Sequence, residues 1–485
     1  MSKTLRRFLT LAFVAMFALL LVGCGQTPDG TQDGNKTKAG NTDYDHTIVF
    51  YSTQGDNLQK QTEVAIKKFE AKYPGWKVEH VPQGGYDDCK SKIVSDLQGQ
   101  LQPDLAYCYA DHVAQYIQTK KVVDLSLFIN STEMVKDASG ADVRVGYTLE
   151  QVDDFVPGYY AEGRATNYGD YAKYGYSETA MLTLPFVKST ELLYVNEDAL
   201  IAAGFKTLND KNETVAKVAT TWDDLWAQGD KIKEKFPSAT LLGYDSEANW
   251  FITMCEQNGW GYTTANSDNH YLFNNDNTKS WLESLNGYYE KGFIVTQMDY
   301  GAYTSNLFTK GADDGGVVYC VGSSGGASYQ ATDKFKWGVY AIPGSKQADG
   351  SVNSAVISQG PSLCMFYCDR ATDKDEKATM TFMFLKELLD PTFQASFSIA
   401  SGYNPCTQSS YNVEQYVEHL SDSTKITAVA CQVAKQMTND FFTSPAFVGS
   451  STAREQVGNA LNFAVTGGKS AQNALLDAYK NCGGK

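Results

Sequence analysis

The sequence predicts an α/β architecture of mainly parallel sheets flanked by helices, on three observations. From Asp45 onward, short β-like runs alternate with amphipathic helical segments. Strand, helix, strand, helix and strand pass within about sixty residues, the spacing of βαβ units rather than hairpins. A second alternating series starts near Leu184, and a chain of 485 residues has length enough for two such units.

The elements follow in order. His46–Tyr51 is a compact strand, closed by a polar turn at Gln54-Gly55-Asp56. Asn57–Tyr73 places Val64, Ile66, Phe69 and Tyr73 on one helical side, and Pro74-Gly75 stops it. Trp76–Val81 is a second strand, Gly84-Gly85-Tyr86 leads into a helix from Asp87, and Leu105–Tyr107 is a third strand. Ligands of such sheets sit beyond the carboxyl ends of the strands. One wall of a site is therefore expected at Tyr51–Asp56, Gly84–Tyr86 and Tyr107–His112. The Tyr-rich stretch Tyr159–Tyr176 reads as a surface insertion. Leu184–Ala199 resumes a strand. The helix Trp222–Phe236, the strand Leu241–Tyr244, helices containing Trp250–Trp260 and Thr278–Lys291, and strands Gly316–Val321 and Lys336–Ile342 come next. Beyond about Met380 the pattern is mostly helical.

The N-terminus predicts export. Lys3, Arg6 and Arg7 precede an apolar run from Phe8 to Val22, and Leu-Val-Gly-Cys ends at Cys24. That run is too short and too near the N-terminus for a comfortable span, and the layout is that of a bacterial lipoprotein signal. The expectation is a signal peptide over 1–23, a lipidated Cys24 with a flexible tether over 24–45, and a protein held at the outer face of the cytoplasmic membrane. Without residues 1–23 the formal charge moves from −15 to −18. An acidic chain with no basic block is poorly suited to nucleic acid or anionic lipid headgroups. Its 30 Tyr and 7 Trp suit ligands with apolar faces and polar edges, though core packing uses aromatics as readily.

Several chemical motifs fail. Nine cysteines remain beside Cys24, an odd number with no CxxC, and most read as small buried apolar residues. The five His lack metal spacing, so neither metal nor cofactor is expected. Gly467-Gly468-Lys469-Ser470 lacks the first glycine of a phosphate loop, since Phe463 stands there, and reads as a helix end and turn. HExxH and GxSxG are absent. The acidic pairs at 87–88, 153–154, 223–224 and 313–314 mostly fall at expected helix starts, where capping and the helix dipole suffice.

Taken in order, FEAKYPGWKVEHVPQGGYDD (Phe69–Asp88), QPDLAYCYADHVAQYI (Gln102–Ile117), LPFVKSTELLYVNEDAL (Leu184–Leu200), NWFITMCEQNGW (Asn249–Trp260), GVVYCVGSSGGASY (Gly316–Tyr329) and ASGYNPCTQSSY (Ala400–Tyr411) resemble the extracellular solute-binding proteins of ABC importers. The resemblance is to the carbohydrate group that includes maltose-binding proteins, and in particular to its glycerol-3-phosphate-binding branch. It implies a two-lobed periplasmic-binding-protein-like fold with the ligand in the inter-lobe cleft. Lobe one would be 46–187 plus 302–355, and lobe two 188–301 plus 356–485. It also implies a non-enzymatic monomer whose partners are a carbohydrate-class small molecule and a membrane permease. Matching positions make Tyr86 and Asp56 hydroxyl-binding residues and Trp250 an aromatic platform. Ser189, Ser324, Gly360, Tyr403 and Arg454 would hold an anionic head, hydroxyl and amide donors filling phosphate oxygens while the guanidinium forks onto two of them. Each has another role open to it: Ser189 and Ser324 as turn residues, Tyr403 as a packed loop residue, Arg454 as a solvated cation, Trp250 as core. The ligand is glycerol 3-phosphate or a phosphodiester relative, or else a neutral sugar or oligosaccharide. A surface glycoside hydrolase and an adhesin-type lipoprotein are the rivals of other classes.

Overall fold

The computed structural model describes residues 44–484, apart from 167 and 266–268. The expected signal segment, Cys24 and all but the last two residues of the tether lie outside the described residues. No helix among them is long and apolar enough to cross a membrane.

The first lobe begins with β1 (Thr47–Ser52), α1 (Asp56–Lys72), β2 (Lys77–Pro82), α2 (Tyr86–Gly99), β3 (Leu105–Cys108) and α3 (Ala110–Tyr116). β1 lies parallel to both β2 and β3, as the βαβ spacing requires. Its residues alternate between two cores. Ile48 and Phe50 pack on one face, Val49 and Tyr51 on the other. A sheet covered on both faces reads as a continuous apolar run, which is how HTIVFY reads.

The chain then passes β4 (Leu184–Pro185) and enters β5 (Val187–Asn196), whose ten residues are all buried. Around β5 the second lobe assembles α4 (Trp222–Lys235), β6 (Thr240–Tyr244), α5 (Glu247–Asn258), α6 (Asp276–Glu290), β7 (Ile294–Thr296), β8 (Val317–Ser323), β9 (Trp337–Ala341) and β10 (Val356–Gln359). α4 shows why these helices start where they do. Thr221 Oγ1 accepts from Asp224 N–H, with Asp223 and Asp224 in the first turn and Lys233 and Lys235 in the last. After β10 come β11 (Ser362–Met365), α7 (Lys374–Leu388), α8 (Pro391–Ser401), β12 (Asn404–Pro405), α9 (Ile426–Gln436), β13 (Phe441–Phe442), α10 (Ser450–Val465) and α11 (Ala471–Asn481). The first sheet has the order β2-β1-β3-β11-β4. The second has the order β7-β6-β8-β5-β10-β13, with β9 and β12 also paired to β5.

Three expectations change. Segment 302–355 was expected in lobe one, yet β8 lies between parallel β6 and antiparallel β5, and β9 also pairs with β5. Conversely β11 was expected in lobe two and pairs with β3 and β4 in the first sheet. The return crossing is therefore at Gly360-Pro361, and the chain enters the second lobe again between Cys406 and Ile426. A strand as apolar and buried as β8 suits either sheet, so its partner is decided by long-range pairing. The Tyr-rich stretch is not a surface insertion either. Tyr159 and Tyr171 are only 3% and 2% exposed, and Tyr159 stacks on Phe441. Of the acidic pairs, 87–88 and 223–224 open helices as expected, whereas Asp154 accepts from Ser409 N–H at 2.8 Å. Gly467 sits beyond the end of α10 and Ser470 caps α11, as the failed phosphate loop implied.

Candidate ligand site between the lobes

The carboxyl ends of β1, β2 and β3 carry Thr53, the Gly84-Gly85 turn and Tyr109. Tyr86 opens α2, stacks on Tyr109 with ring centroids 4.5 Å apart, and shares hydrogen bonds with Thr53 and Tyr403. Tyr109 in turn meets His112 edge-on. Burial pushes the phenols of Tyr86 and Tyr109 up and the His112 imidazole down, so all three are neutral hydrogen-bonding groups.

Gly360 connects β10 to β11 with φ +91°. A Cβ there would lie 2.5 Å from Val187 O, so only glycine lets the returning chain cross β5 this closely. Ser189 lies opposite Gln359, and the N–H of its neighbour Thr190 donates to Ser324 Oγ at 3.2 Å. Gly325 packs its bare Cα against the Tyr403 ring, 2.5 Å from where a Cβ would stand, which brings the Ser323–Gly326 turn onto the Tyr403 loop. Arg454, on α10, donates through Nη2 to Asn249 Oδ1. Asn249 is also bonded to the buried Glu191 carboxyl, which accepts from Tyr244 Oη at 2.5 Å. Burial, outweighing these donors and the nearby guanidinium, raises Glu191 to about 7.

These elements enclose a void between Tyr109, Asp111, Gly360, Arg454 and a second polar cluster. In that cluster the Lys188 ammonium, 1% exposed, pairs with Glu162, whose other oxygen accepts from Ser358 Oγ at 2.6 Å and Thr443 Oγ1 at 3.4 Å. Direct bonds hold the lobes together beside it. Lys90 Nζ reaches Ser451 Oγ at 3.1 Å, and Val448 N–H donates to Asp170 at 2.9 Å. The void is about 40 Å³, room for about one water. A sugar ring or a glycerophosphate is several times larger than this void. The two sheets, each with its own core, face this cleft from either side.

Residues 64–421 match the model of the bacterial extracellular solute-binding protein family, about three-quarters of the chain. The chain belongs to that family. The sn-glycerol-3-phosphate-binding periplasmic protein of Escherichia coli K12 is 23% identical over 383 residues, 77% of each chain. Among solved structures, a glycerophosphocholine complex from Mycobacterium tuberculosis superposes with TM-score 0.68 at 17% identity, covering 90% of this chain and 97% of the other. The GacH receptor of Streptomyces glaucescens, solved unliganded and with acarbose, gives 0.67 at 16% identity, covering 90% and 98%. The α/β two-lobed fold is thus that of sugar-type solute-binding proteins, and the chain is a binding protein rather than an enzyme.

In this solute-binding protein, Gly360 and Arg454 of the eight expected site residues line the void. Tyr86 stacks on the lining residue Tyr109 and is hydrogen-bonded to Tyr403, while Ser189 and Ser324 lie on or beside β5 near Gly360. Trp250 and Asp56 stand apart. Trp250 is 0% exposed within the second-lobe core, stacked on Tyr244 at 4.5 Å and flanked by Trp222, Trp226 and Trp281. It offers no face to a ligand. Asp56 is exposed in the first turn of α1, where a carboxylate suits the helix dipole. The neighbour turned inward is Gln54, bonded to Tyr107 and Thr62. Sequence reasoning missed Glu162, Lys188 and Asn249, and reached Tyr109 and Asp111 only as part of the expected wall Tyr107–His112. One signal was available: a lysine inside the apolar run LPFVKST must find an anion if it is buried. Among the described residues, no three His, Cys, Asp or Glu side chains gather as metal ligands.

Proposed function

We propose that this solute-binding protein is the lipid-anchored receptor of an ABC importer, capturing glycerol 3-phosphate or a glycerophosphodiester and handing it to a membrane permease. One observation carries the reading. Arg454, the neutral polar side chains of Tyr109, Gln359 and Ser444 and the Gly360 backbone line the same void as Asp111. A cation with neutral donors on one side and a carboxylate on the other matches a ligand with an anionic head and free hydroxyls. The Escherichia coli relative named for glycerol 3-phosphate and the Mycobacterium tuberculosis protein with glycerophosphocholine support the same class. A neutral oligosaccharide is the second reading. The carboxylates of Asp111 and Glu162 favour it, since they accept from hydroxyls and repel phosphate.

Calorimetry of the mature protein against glycerol 3-phosphate and a panel of neutral sugars separates the two. Under the phosphate reading, Arg454→Gln weakens glycerol 3-phosphate by about 2–5 kcal/mol, with Arg454→Lys in between because charge persists without the planar fork. A neutral site would lose only about one hydrogen bond, roughly 0.5–1.5 kcal/mol, on the same change. No heat with the phosphate, beside saturation with a sugar, overturns the phosphate reading.

The anchor rests on Cys24 behind its apolar run. Cys24→Ser should release the protein from the membrane fraction while leaving affinity unchanged. Retention after a high-salt wash would rule the lipid anchor out.

A further inference from the structure

We propose that the first lobe carries a second ligand site, a groove beside the amino end of β2 lined by Tyr73, Trp76, Glu133, Asp137, Glu376 and Met380, and that this groove takes a linear aliphatic polyamine. The site is separate from the cleft and does not depend on the function proposed above.

The groove has a volume of about 780 Å³, against about 40 Å³ for the void in the cleft. Pockets for small organic molecules run to about 300–1,000 Å³. Its position follows from the chain. α1 ends at Lys72, so Tyr73, Pro74 and Trp76 stand where β2 begins, at the opposite end of the first sheet from the cleft. One wall is the hairpin that pairs Met134–Lys136 with Asp142–Arg144, tied to α1 by Ala138 N–H, which donates to Lys72 O at 2.8 Å. The other wall is the start of α7.

Charge, an unmet hydrogen bond and the surface between the charges point to one kind of ligand. The walls bring five carboxylates to the groove. Asp373, Asp375 and Glu376 have a use already, capping α7 or suiting its dipole. Glu133 and Asp137 come from the facing hairpin, where no helix start calls for them. Among the described residues none of the five is in an ion pair, since Lys136 pairs with Asp142 at 2.7 Å and Lys374 with Asp369 at 3.4 Å. Lys72, its Nζ 5.6 Å from the Tyr73 ring centre, offsets only part of this charge. Tyr73 itself is 4% exposed and lines the groove, and its Oη has no hydrogen-bond partner. Buried hydroxyls are rarely left so, and one on the wall of a groove marks a place for an outside partner. Burial, with Glu387 and Asp137 adding to it, pushes the phenol up to about 12, so it stays a neutral oxygen to which an ammonium N–H can donate. The carboxylates do not close on a point: no three of them gather as metal ligands, which is unsuited to a single divalent ion. Trp76, Val135 and Met380 supply apolar surface in the same groove. Ammonium groups joined by methylene spacers match that arrangement, the charges meeting carboxylates while the spacers cover the apolar floor.

The test is calorimetry of the mature protein with spermidine, and with Mg²⁺ as a point-charge control, at about 150 mM salt, where distant surface charges are screened. The groove variant is Glu133→Gln/Asp137→Asn/Glu376→Gln. An amide at position 137 still accepts from the Ser139 and Ala141 N–H groups, so the hairpin turn is kept. Glu290→Gln/Asp313→Asn/Asp314→Asn removes the same charge from exposed positions of the second lobe. Wild type should bind one spermidine, the groove variant should bind it tenfold or more weakly, and the second-lobe variant should stay within twofold of wild type. Tyr73→Phe removes the unpaired hydroxyl, so it should keep or raise the melting temperature while weakening spermidine at least threefold. No saturation of wild type at millimolar spermidine overturns the site, and so does unchanged affinity in the groove variant or in Tyr73→Phe. An equal loss in the groove and second-lobe variants, or displacement of spermidine by an equal concentration of Mg²⁺, overturns it as well, because either means mere attraction to an acidic protein.

Discussion

At Trp250 the same side chain satisfies two roles until its neighbours are known. A tryptophan at the start of a helix near a strand end can face a cleft or a core. The decision here is made by Tyr244, Trp222, Trp226 and Trp281, which arrive from different elements and close over it. Tyr86, by contrast, was legible because a Gly-Gly turn after a strand fixes where the next helix begins, and so where its first side chain stands. Glu191 belongs to the residues that only packing reveals, and it carries a pH dependence. Its ordinary value is 4.5 and its folded value about 7, so folding favours the protonated form. The stability from that shift is fully present below about pH 4.5 and is lost as pH rises through 7. The shift bounds the loss at about 3 kcal/mol. Asp245 titrates in the same sense, and His80, depressed to about 4, in the opposite sense. The comparison that isolates Glu191 is therefore wild type against Glu191→Gln, by urea unfolding from pH 5 to 8. Relative to the variant, wild type should lose stability from pH 5 to about 7 and level off above it. Parallel curves would mean the carboxyl is not held neutral.

Among the elements, the βαβ runs of the first lobe were readable because hydrophobic period, helix stops and strand length all agree. The observed bounds of β1, α1, β2 and β3 differ from the expected ones by at most one residue. β8 was readable as a strand but not as a member of a sheet. Each of its residues up to Gly322 is buried, so no polar face marks which side meets solvent and no alternation marks a register. Its place between β6 and β5 depends on pairing across 77 residues of chain to β6 and more than a hundred to β5. The return crossing had a local signal, Gly360-Pro361, in which a positive-φ glycine is followed by a residue that cannot donate. That glycine was read as a ligand residue alone. It is also the point at which β10 hands the chain back to the first sheet.

For the whole molecule, the question is what holds two lobes with separate cores against each other. Glu162 is placed to do this. It rides on the first lobe, where Gly163 O accepts from Leu182 N–H. One carboxylate oxygen meets Lys188 on the crossing strand, and the other meets Ser358 and Thr443 of the second lobe. Removing the carboxylate alone leaves the Lys188 ammonium buried without its anion, which costs about 3–5 kcal/mol. Glu162→Gln should therefore destabilise strongly, by a route that says nothing about closure. Glu162→Gln combined with Lys188→Met removes both charges and should recover most of that stability in urea unfolding. The double variant still lacks the carboxylate acceptor that joins Ser358 and Thr443 to the first lobe. Its closed form is thus weakened relative to the open one, and a hinge responds to such a change by shifting population. Small-angle scattering of the ligand-free double variant should give a larger radius of gyration than wild type, shrinking to the wild-type value at saturating ligand. A wild-type radius in the recovered double variant would confine the Glu162–Lys188 pair to a packing role and leave closure to Lys90–Ser451 and Asp170–Val448.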